Sequence, residues 1–212
     1  MPGYCPKCRR ALSEGTVCCA DIRYMWRCRK CFKLSMNFVI PYGRCSFCDG
    51  ELQIFGNAGT PEAARVCAIR EAVQTVLDVF LFYKLARDQS RHWDQRAIME
   101  RLCESEMAVL HELEKQYHPH LEPRLLDPPI EDQDRMTQRL FRGICLSDHS
   151  AVRDLYNAAI EMERRTSSHF RAVATHLPDC PEKAMLVGLA IRDDRLALID
   201  AEVGLLAQAV AV

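Results

Sequence analysis

Residues 68–85 read AIREAVQTVLDVFLFYKL, and this stretch decides the fold class of the 212-residue chain. Its apolar residues cover more than one face of a helix, which is typical of a helix that is buried on several sides in a bundle. Thr60 suits the N-cap, Pro61 suits the first helical position, and Glu62 complements the helix dipole. A first helix is therefore predicted over 61–88.

Three further long helices are predicted in the rest of the chain, over 91–118, 150–175 and 180–209. Asp179 and Glu182 form a pattern like a capping box at the start of the last one. Four prolines make 119–147 a long connection, with room for a short helix near 136–144. Two helical hairpins joined by a long crossover have the connectivity of a ferritin-like four-helix bundle, predicted here over 60–212.

The first 56 residues form a different, cysteine-rich module that is predicted to be small and mostly β. Strands are expected over 16–26 and 34–40, and Gly56 to Gly59 form a flexible joint before the helices. Eight of the twelve cysteines lie here, and six of them form C-x-x-C pairs. Two such pairs facing each other make a tetrahedral S₄ site, which selects zinc or iron. The eight candidate metal ligands are Cys5, Cys8, Cys18, Cys19, Cys28, Cys31, Cys45 and Cys48.

The spacing leaves the grouping of these ligands open. One natural set is Cys28 with Cys31, Cys45 and Cys48; another joins Cys28 and Cys31 to Cys5 and Cys8, with zinc-ribbon spacing. Up to two sites per chain are expected; the three C-x-x-C pairs supply six sulfurs, and Cys18 and Cys19 are the candidates for the other two ligands. The other four cysteines are predicted to be small buried apolar residues; they are Cys67, Cys103, Cys145 and Cys180.

Charge is distributed unevenly along the chain. Residues 1–60 carry a net charge of +5 and residues 61–212 carry −6. Basic residues interleaved with Tyr24, Trp26 and Phe32 raise the alternative of nucleic-acid binding, which requires them to share one face. Two Cys₄ sites that each hold a divalent ion would carry −2 apiece, which would bring the net charge of residues 1–60 from +5 to about +1. Because, in addition, the rest of the chain is acidic, the sequence argues against binding to nucleic acid.

Several other functional classes are disfavoured because the sequence lacks the patterns that mark them. The chain shows no leader-like N-terminus and no apolar run of the ~18–20 residues that span a bilayer, which predicts a soluble cytoplasmic protein with no membrane partner. It also has no glycine-rich phosphate loop, serine elbow or Cys–His nucleophile pattern. Nothing therefore indicates hydrolysis or nucleotide binding.

The stretch Trp26-Arg-Cys28-Arg-Lys-Cys31 and the later Pro41-Tyr-Gly-Arg-Cys45-Ser-Phe-Cys48 resemble the rubredoxin-like module of rubrerythrins. The helical part resembles the rubrerythrin branch of ferritin-like proteins, so the resemblance covers nearly the whole chain. It implies a di-iron site in the bundle, which takes a Glu from each of two helices and a Glu-x-x-His from each of the other two.

The ligands that this resemblance implies are largely missing. Aligning the two hairpins at an offset of 87 residues leaves three acidic ligand positions, Glu106, Glu163 and Asp193. The fourth acidic position falls on Val76, and the two histidine positions fall on Val109 and Leu196. A shifted register would instead recruit Asp78, Glu104 and His111. A di-iron site is therefore not expected, and any of these acids buried in the bundle would need a partner such as Arg192 or Arg195.

The knuckles also depart from the rubredoxin pattern. The resemblance implies Gly just after the second Cys, where the backbone takes a positive φ, but Phe32 and Asp49 stand there. Amide-to-sulfur hydrogen bonds that tune iron could differ, which favours structural zinc over iron. The resulting prediction is a non-catalytic accessory protein that binds a partner protein or forms a homo-oligomer through its bundle, with Phe80 to Tyr83 suited to dimerisation. The alternative is a rubrerythrin-type oxidoreductase or electron-transfer protein using Cys₄ iron.

Overall fold

A computed structural model gives the structure of the protein, and most of the residues that it describes are helical. The described residues are 3–4, 11–12, 24–37, 45, 47–48, 50–55, 61–90, 92–117, 123–128, 133, 140 and 152–210. Among the helices in these ranges, none combines the length and the apolar character that crossing a membrane requires. The predicted joint at Gly56 to Gly59 lies outside the described residues.

Within 61–210, the residues that the structure describes include six helices with defined bounds. They are α1 (Pro61–Gln89), α2 (Trp93–Tyr117), α3 (Pro123–Leu126), α4 (Val152–Thr175), α5 (Pro181–Leu189) and α6 (Asp193–Val210). Helix α1 packs most extensively against α2 and also contacts α4 and α5, while α6 contacts α4 and α2. The predicted first three long helices are confirmed to within two residues. The short helix predicted near 136–144 lies outside the described residues, apart from position 140.

The prediction of one continuous helix over 180–209 is wrong, because the chain breaks between Leu189 and Asp193. The carbonyl oxygens freed at the break find side-chain donors: the hydroxyl of Ser167 donates to Ala190 at 2.7 Å, and Nε of Arg192 donates to Leu189 at 3.1 Å. Such partners satisfy the orphan carbonyls of a helix end. The break brings the Arg192 side chain into the interior, where it is buried.

The described residues of the N-terminal module form two small antiparallel sheets. The first pairs β1 (Gly3–Tyr4) with β2 (Ala11–Leu12). The second has the order β4-β3-β5, from β3 (Tyr24–Cys28), β4 (Leu34–Asn37) and β5 (Leu52–Phe55). Trp26 and Cys28 of the central strand are buried on one face of this sheet. The opposite face carries Arg27, which lies across from Leu34 and Gln53.

The apolar core of the helical part is built around α1. The segment Phe80-Leu81-Phe82-Tyr83 is buried inside the chain. The prediction that this segment serves dimerisation is therefore wrong, because its side chains are already enclosed by the chain's own helices. An ion pair also joins α1 to α5: Arg65 donates from Nε and Nη2 to the two carboxylate oxygens of Glu182, at 2.7 and 3.0 Å.

Candidate metal centre and buried ion cluster

Four cysteine sulfurs converge at one end of the three-stranded sheet. Sγ of Cys28 lies 3.4 Å from Sγ of Cys48, and Sγ of Cys31 lies 3.5 Å from Sγ of Cys45. All four sulfurs lie within 4.8 Å of one another. Thiolates around a tetrahedral ion at Zn–S bonds of about 2.3 Å are separated by roughly 3.8 Å, so this set fits one metal ion. Cys28 and Cys45 are buried, while Cys31 and Cys48 are half-buried.

Strand pairing explains why these cysteines meet. Cys28 ends β3, Cys31 lies in the turn that leads to β4, and Cys45 and Cys48 precede β5. Because β3 pairs with β5 at Cys28 and Leu52, the two knuckles are brought side by side. The amide of Cys45 also donates to the carbonyl of Gly50 at 2.9 Å, which closes the second knuckle.

The turn after Cys28 has the geometry of a metal knuckle. The amides of Lys30 and Cys31 donate to Sγ of Cys28 at 3.3 and 3.4 Å. Phe32 follows with φ of 60°, the left-handed conformation expected at a position where related knuckles carry Gly. The sequence argument treated Phe32 as a departure from the glycine knuckle, but this phenylalanine adopts the positive φ. The corresponding position after Cys48, Asp49, lies outside the described residues.

Gly50 is a site residue that the sequence patterns did not single out. A Cβ at this position would lie 2.6 Å from Sγ of Cys28, 2.7 Å from Cβ of Lys30 and 3.2 Å from Sγ of Cys48. The first two distances are too short for any side chain, so only glycine lets the backbone pass so close to the sulfurs. The signal in the sequence was its position two residues after Cys48, just before β5.

The protein environment prepares one of the four sulfurs for metal binding. The amide of Cys31, which donates to Sγ of Cys28, lowers the pKa of the Cys28 thiol to about 6. Burial raises the pKa of the neighbouring Cys48 thiol to about 12. A thiol with a pKa near 6 is mostly deprotonated at neutral pH, and the thiolate is the form that binds metal. A cation among the sulfurs would favour the thiolate form of the others as well.

The structure therefore assembles one of the two ligand sets that the spacing left open: Cys28, Cys31, Cys45 and Cys48. Cys5, Cys8, Cys18 and Cys19 lie outside the described residues, so a second site there stays a prediction. Within the described part of the chain, no other group of Cys, His, Asp or Glu side chains is arranged to hold a metal ion.

The isolated cysteines only partly match the expectation of burial. Cys103 is buried and its Sγ lies 3.9 Å from the carbonyl oxygen of Phe80. Cys180 is half-buried, and Cys145 lies outside the described residues. Cys67 is exposed, so the prediction of a buried apolar role is wrong there. The reason is its place on the outward face of α1, opposite the buried Ile69.

A second polar cluster lies in the interior of the helical part. Glu106 of α2 and Glu163 of α4 are both fully buried. Nη1 of Arg192 and Nε of Arg195 both donate to Oε1 of Glu106, the latter at 2.5 Å. Nε of Arg192 lies 3.5 Å from Oε2 of Glu163, and the hydroxyl of Tyr83 donates to Oε1 of Glu163 at 2.5 Å. Side chains from α1, α2, α4, α6 and the α5–α6 break thus meet at one point.

This ion cluster is balanced without a metal. Two carboxylates face two guanidinium groups, and the guanidinium of Arg192 also stacks on Phe170, 5.6 Å from the ring centre. Burial raises the pKa of Glu163, against the lowering effect of Arg192. Burial, followed by the charge of Glu163, also raises the pKa of Tyr83 well above its usual value. A buried carboxylate needs a partner of this kind to remain ionised.

The cluster does not fit the di-iron site that the sequence resemblance implies. Its donor set contains two carboxylates and no imidazole, and Arg192 contributes positive charge between the carboxylates. The two positive side chains that the sequence named as partners for a buried acid are the ones that fill these roles. That prediction for Arg192 and Arg195 is confirmed.

The remaining predicted bundle positions are dispersed. Asp193 is exposed in the first turn of α6, away from the cluster, because the break at 190–192 ends the helical register that would have carried it inward. Val76 is buried, whereas Val109 and Leu196 are half-buried. Among the shifted-register residues, Asp78 accepts a hydrogen bond from Gln74 at 2.9 Å, and Glu104 and His111 are exposed. Tyr83 was missed, although a tyrosine within an apolar helix requires a partner for its hydroxyl.

No family model, no curated protein and no solved structure matches the chain.

Proposed function

We propose that this chain is a rubrerythrin-derived, thiolate–zinc protein whose helical part is a non-catalytic scaffold for binding a partner protein. The observation that carries the proposal is the position of Arg192, which is buried against both carboxylates that could have served a bundle metal. Because Arg192 and Arg195 occupy the carboxylates, these acids are not free to bind a metal ion.

The four-sulfur set supports a structural role for the metal. Zinc held by Cys28, Cys31, Cys45 and Cys48 would cross-link the β3–β4 turn to the segment before β5. This cross-link would hold β5 beside β3. A module of this size buries little apolar surface, and metal binding can supply the missing folding free energy. Unpaired thiols that serve as ligands also suit a reducing compartment, and we place the protein in the cytoplasm on that ground.

Iron-based electron transfer is the second candidate, and one observation favours it. The amides of Lys30 and Cys31 both donate to Sγ of Cys28, and such hydrogen bonds tune the potential of thiolate-bound iron. Phe32 has the positive φ that accompanies such bonds in a knuckle of this kind. The sequence argument for zinc had assumed that a phenylalanine would not adopt it. Zinc remains the better proposal because, among the described residues, arginines pair with the carboxylates that would have bound a bundle metal able to accept electrons.

Metal analysis of the purified protein tests the proposal directly. The chain would be produced with both metals supplied, and zinc and iron per chain would be quantified beside the visible spectrum. We expect zinc at one or two ions per chain and no absorption in the visible range. Iron near one per chain with a red, thiolate-to-iron spectrum would replace the proposal with electron transfer. More than two irons per chain would mean that the helical part binds metal despite Arg192.

Two cysteine variants locate the metal. Cys31→Ser removes one ligand of the described set, and we expect it to lose one metal ion per chain. Cys103→Ser is the matched control, because Cys103 is buried in the helical part and has no other cysteine beside it among the described residues. Equal metal content in both variants would contradict the assignment of the site.

A further inference from the structure

The solvent-facing side of the three-stranded sheet carries aromatic rings where polar residues are normal. Antiparallel sheets with one face buried usually present polar side chains on the other face. Here Phe32 in the β3–β4 turn is 66% exposed and Phe47 in the second knuckle is 68% exposed. Phe55 of β5 and Leu34 of β4 are exposed as well. We call these four residues, together with Arg27 and Lys33, the aromatic face.

Strand register places three residues of this face, Arg27, Leu34 and Phe55, on one side of the sheet. Arg27 of β3 lies directly across from Leu34, and directly opposite residues point to the same side. Phe55 pairs with Met25, two residues before Arg27 and therefore on that same side. Trp26 and Cys28 alternate to the other side, where they are buried. Phe55 is thus on the side of the sheet opposite Trp26 and Cys28, and Phe32 joins it there through its contact with Arg27.

Each ring of the aromatic face is accompanied by a cation. The guanidinium of Arg27 lies between two rings, 4.8 Å from the centre of Phe55 and 5.9 Å from the centre of Phe32. Nζ of Lys33 lies 3.4 Å from the centre of the Phe47 ring. Lys30, in the same turn, is exposed. Arg29 differs, because it is bound to Glu51 at 3.0 Å.

From this alternation of rings and cations we infer that the aromatic face binds single-stranded nucleic acid, with bases stacked on Phe32, Phe47 and Phe55 and phosphates next to Arg27 and Lys33. A base offers a flat surface to a ring, and the phosphate beside it offers a negative charge to a cation, which is the arrangement that single-strand binders use. Aromatic rings and arginine are also enriched at protein–protein interfaces, so an acidic polypeptide is included in the competition experiment below. The inference goes beyond the proposed scaffold function and does not depend on which metal the knuckles hold.

Fluorescence anisotropy of the full chain with a labelled single-stranded oligouridine of about 15 nucleotides tests this inference at about 50 mM salt. We expect binding that weakens as salt rises. Three competitors separate the sources of affinity. An unlabelled oligouridine should displace the probe, whereas an abasic oligomer of equal length and poly-glutamate should compete poorly. Equal competition by the abasic oligomer would mean that charge alone binds, and equal competition by poly-glutamate would replace the proposal with an acidic protein partner.

Matched substitutions assign the binding to the aromatic face. Phe32→Gly removes a ring at a position whose φ of 60° suits glycine, so the turn is expected to persist. Phe55→Leu keeps apolar bulk but removes the flat ring. Each should weaken binding by at least about fivefold. The control is Trp93→Leu, which removes a ring that is 79% exposed on α2 and should change nothing.

Two matched substitutions that each remove one positive charge complete the design. Lys33→Gln should weaken binding and lower the slope of log affinity against log salt by about 0.7. Lys115→Gln on α2 is its control, since Lys115 is also highly exposed. Metal content is measured on the same preparations. If zinc-loaded protein fails to bind the oligonucleotide, this inference is overturned and the zinc proposal stands. If the protein carries iron and binds the oligonucleotide, this inference is supported and the zinc proposal is overturned.

Discussion

Nε of Arg192 lies 3.5 Å from Oε2 of Glu163, at the centre of the helical part, and both side chains are buried. The same guanidinium donates through Nη1 to Glu106. This position follows from the break between α5 and α6, because a continuous helix would carry Arg192 on its surface turn. The break therefore converts an acidic centre into a neutral ion cluster.

Replacing Arg192 should be among the most destabilising single changes in the helical part. Arg192→Met leaves Glu163 without its cation and Glu106 with Arg195 alone. Removing one partner of a buried ion pair costs about 3–5 kcal/mol. We expect the free energy of unfolding, measured by urea titration of the helical circular dichroism signal, to fall by that amount. Arg164→Met, at an exposed position of α4, should change it by no more than about 0.5 kcal/mol.

A double variant shows whether the loss comes from charge. Glu106→Gln removes one of the two carboxylates, so the double variant Arg192→Met/Glu106→Gln should be at least about 1 kcal/mol more stable than the sum of the two single effects. Strict additivity would show that Arg192 stabilises through packing on Phe170 and not through the carboxylates. Metal content of Arg192→Met should also be measured, since a gain of iron or zinc would identify Arg192 as the group that excludes metal.

Gly50 should be required for the metal site. Gly50→Ala would place a Cβ 2.6 Å from Sγ of Cys28, and the sulfur and the β-turn backbone would have to separate. We expect the variant to lose metal, or to release it to a chelator at least about tenfold faster, since misplaced ligands weaken coordination. Gly188→Ala is the control, because a Cβ there meets no atom within 4 Å. That variant should keep its metal and gain up to about 1 kcal/mol of helix stability. Full metal retention by Gly50→Ala would contradict the described geometry.

Metal removal should affect the module and spare the helices. Trp26 is fully buried in the sheet behind Cys28, whereas Trp93 is exposed on α2. In a Trp93→Phe background, chelation should shift the emission of Trp26 to longer wavelength as the sheet opens to water. The helical circular dichroism signal should change little, because the four ligands of the described metal site all lie in the module. Loss of both signals together would mean that the module and the helical part unfold as one unit.

Sequence reasoning reached the elements that depend on local pattern. The long helices followed from apolar periodicity, and the S₄ group of Cys28, Cys31, Cys45 and Cys48 followed from C-x-x-C spacing. The need for an arginine partner followed from the cost of burying Glu106 or Glu163 unpaired. The first two inferences succeeded because periodicity and C-x-x-C spacing are local rules that act over a few residues. The third succeeded because the free-energy cost of burying an unpaired carboxylate is large.

The features that were missed depend on tertiary contacts. The break at 190–192 contains no proline, and one of the contacts that hold it comes from Ser167, which is 23 residues away in sequence from Ala190. Gly50 matters only because strand pairing brings it against Cys28. The segment Phe80 to Tyr83 looked free for dimerisation because a sequence does not show which of its apolar surfaces the chain itself will cover.

His169 should make stability depend on pH in a defined direction. Its Nε2 lies 3.0 Å from Oε1 of Glu71, and this contact raises the pKa of His169 above its usual 6.5. The stabilisation is fully present below pH 6.5, where the histidine is charged even in the unfolded chain, and it is lost as pH rises through the higher folded-state pKa. Because both side chains are partly exposed, the effect should stay below about 1 kcal/mol. His169→Gln should therefore be less stable than the native chain near pH 6 and converge with it at alkaline pH, in urea titrations at each pH. The control is His111→Gln, at an exposed position of α2, which should show no such convergence. If the difference in unfolding free energy between His169→Gln and the native chain is the same at every pH, the substitution removes packing and not charge.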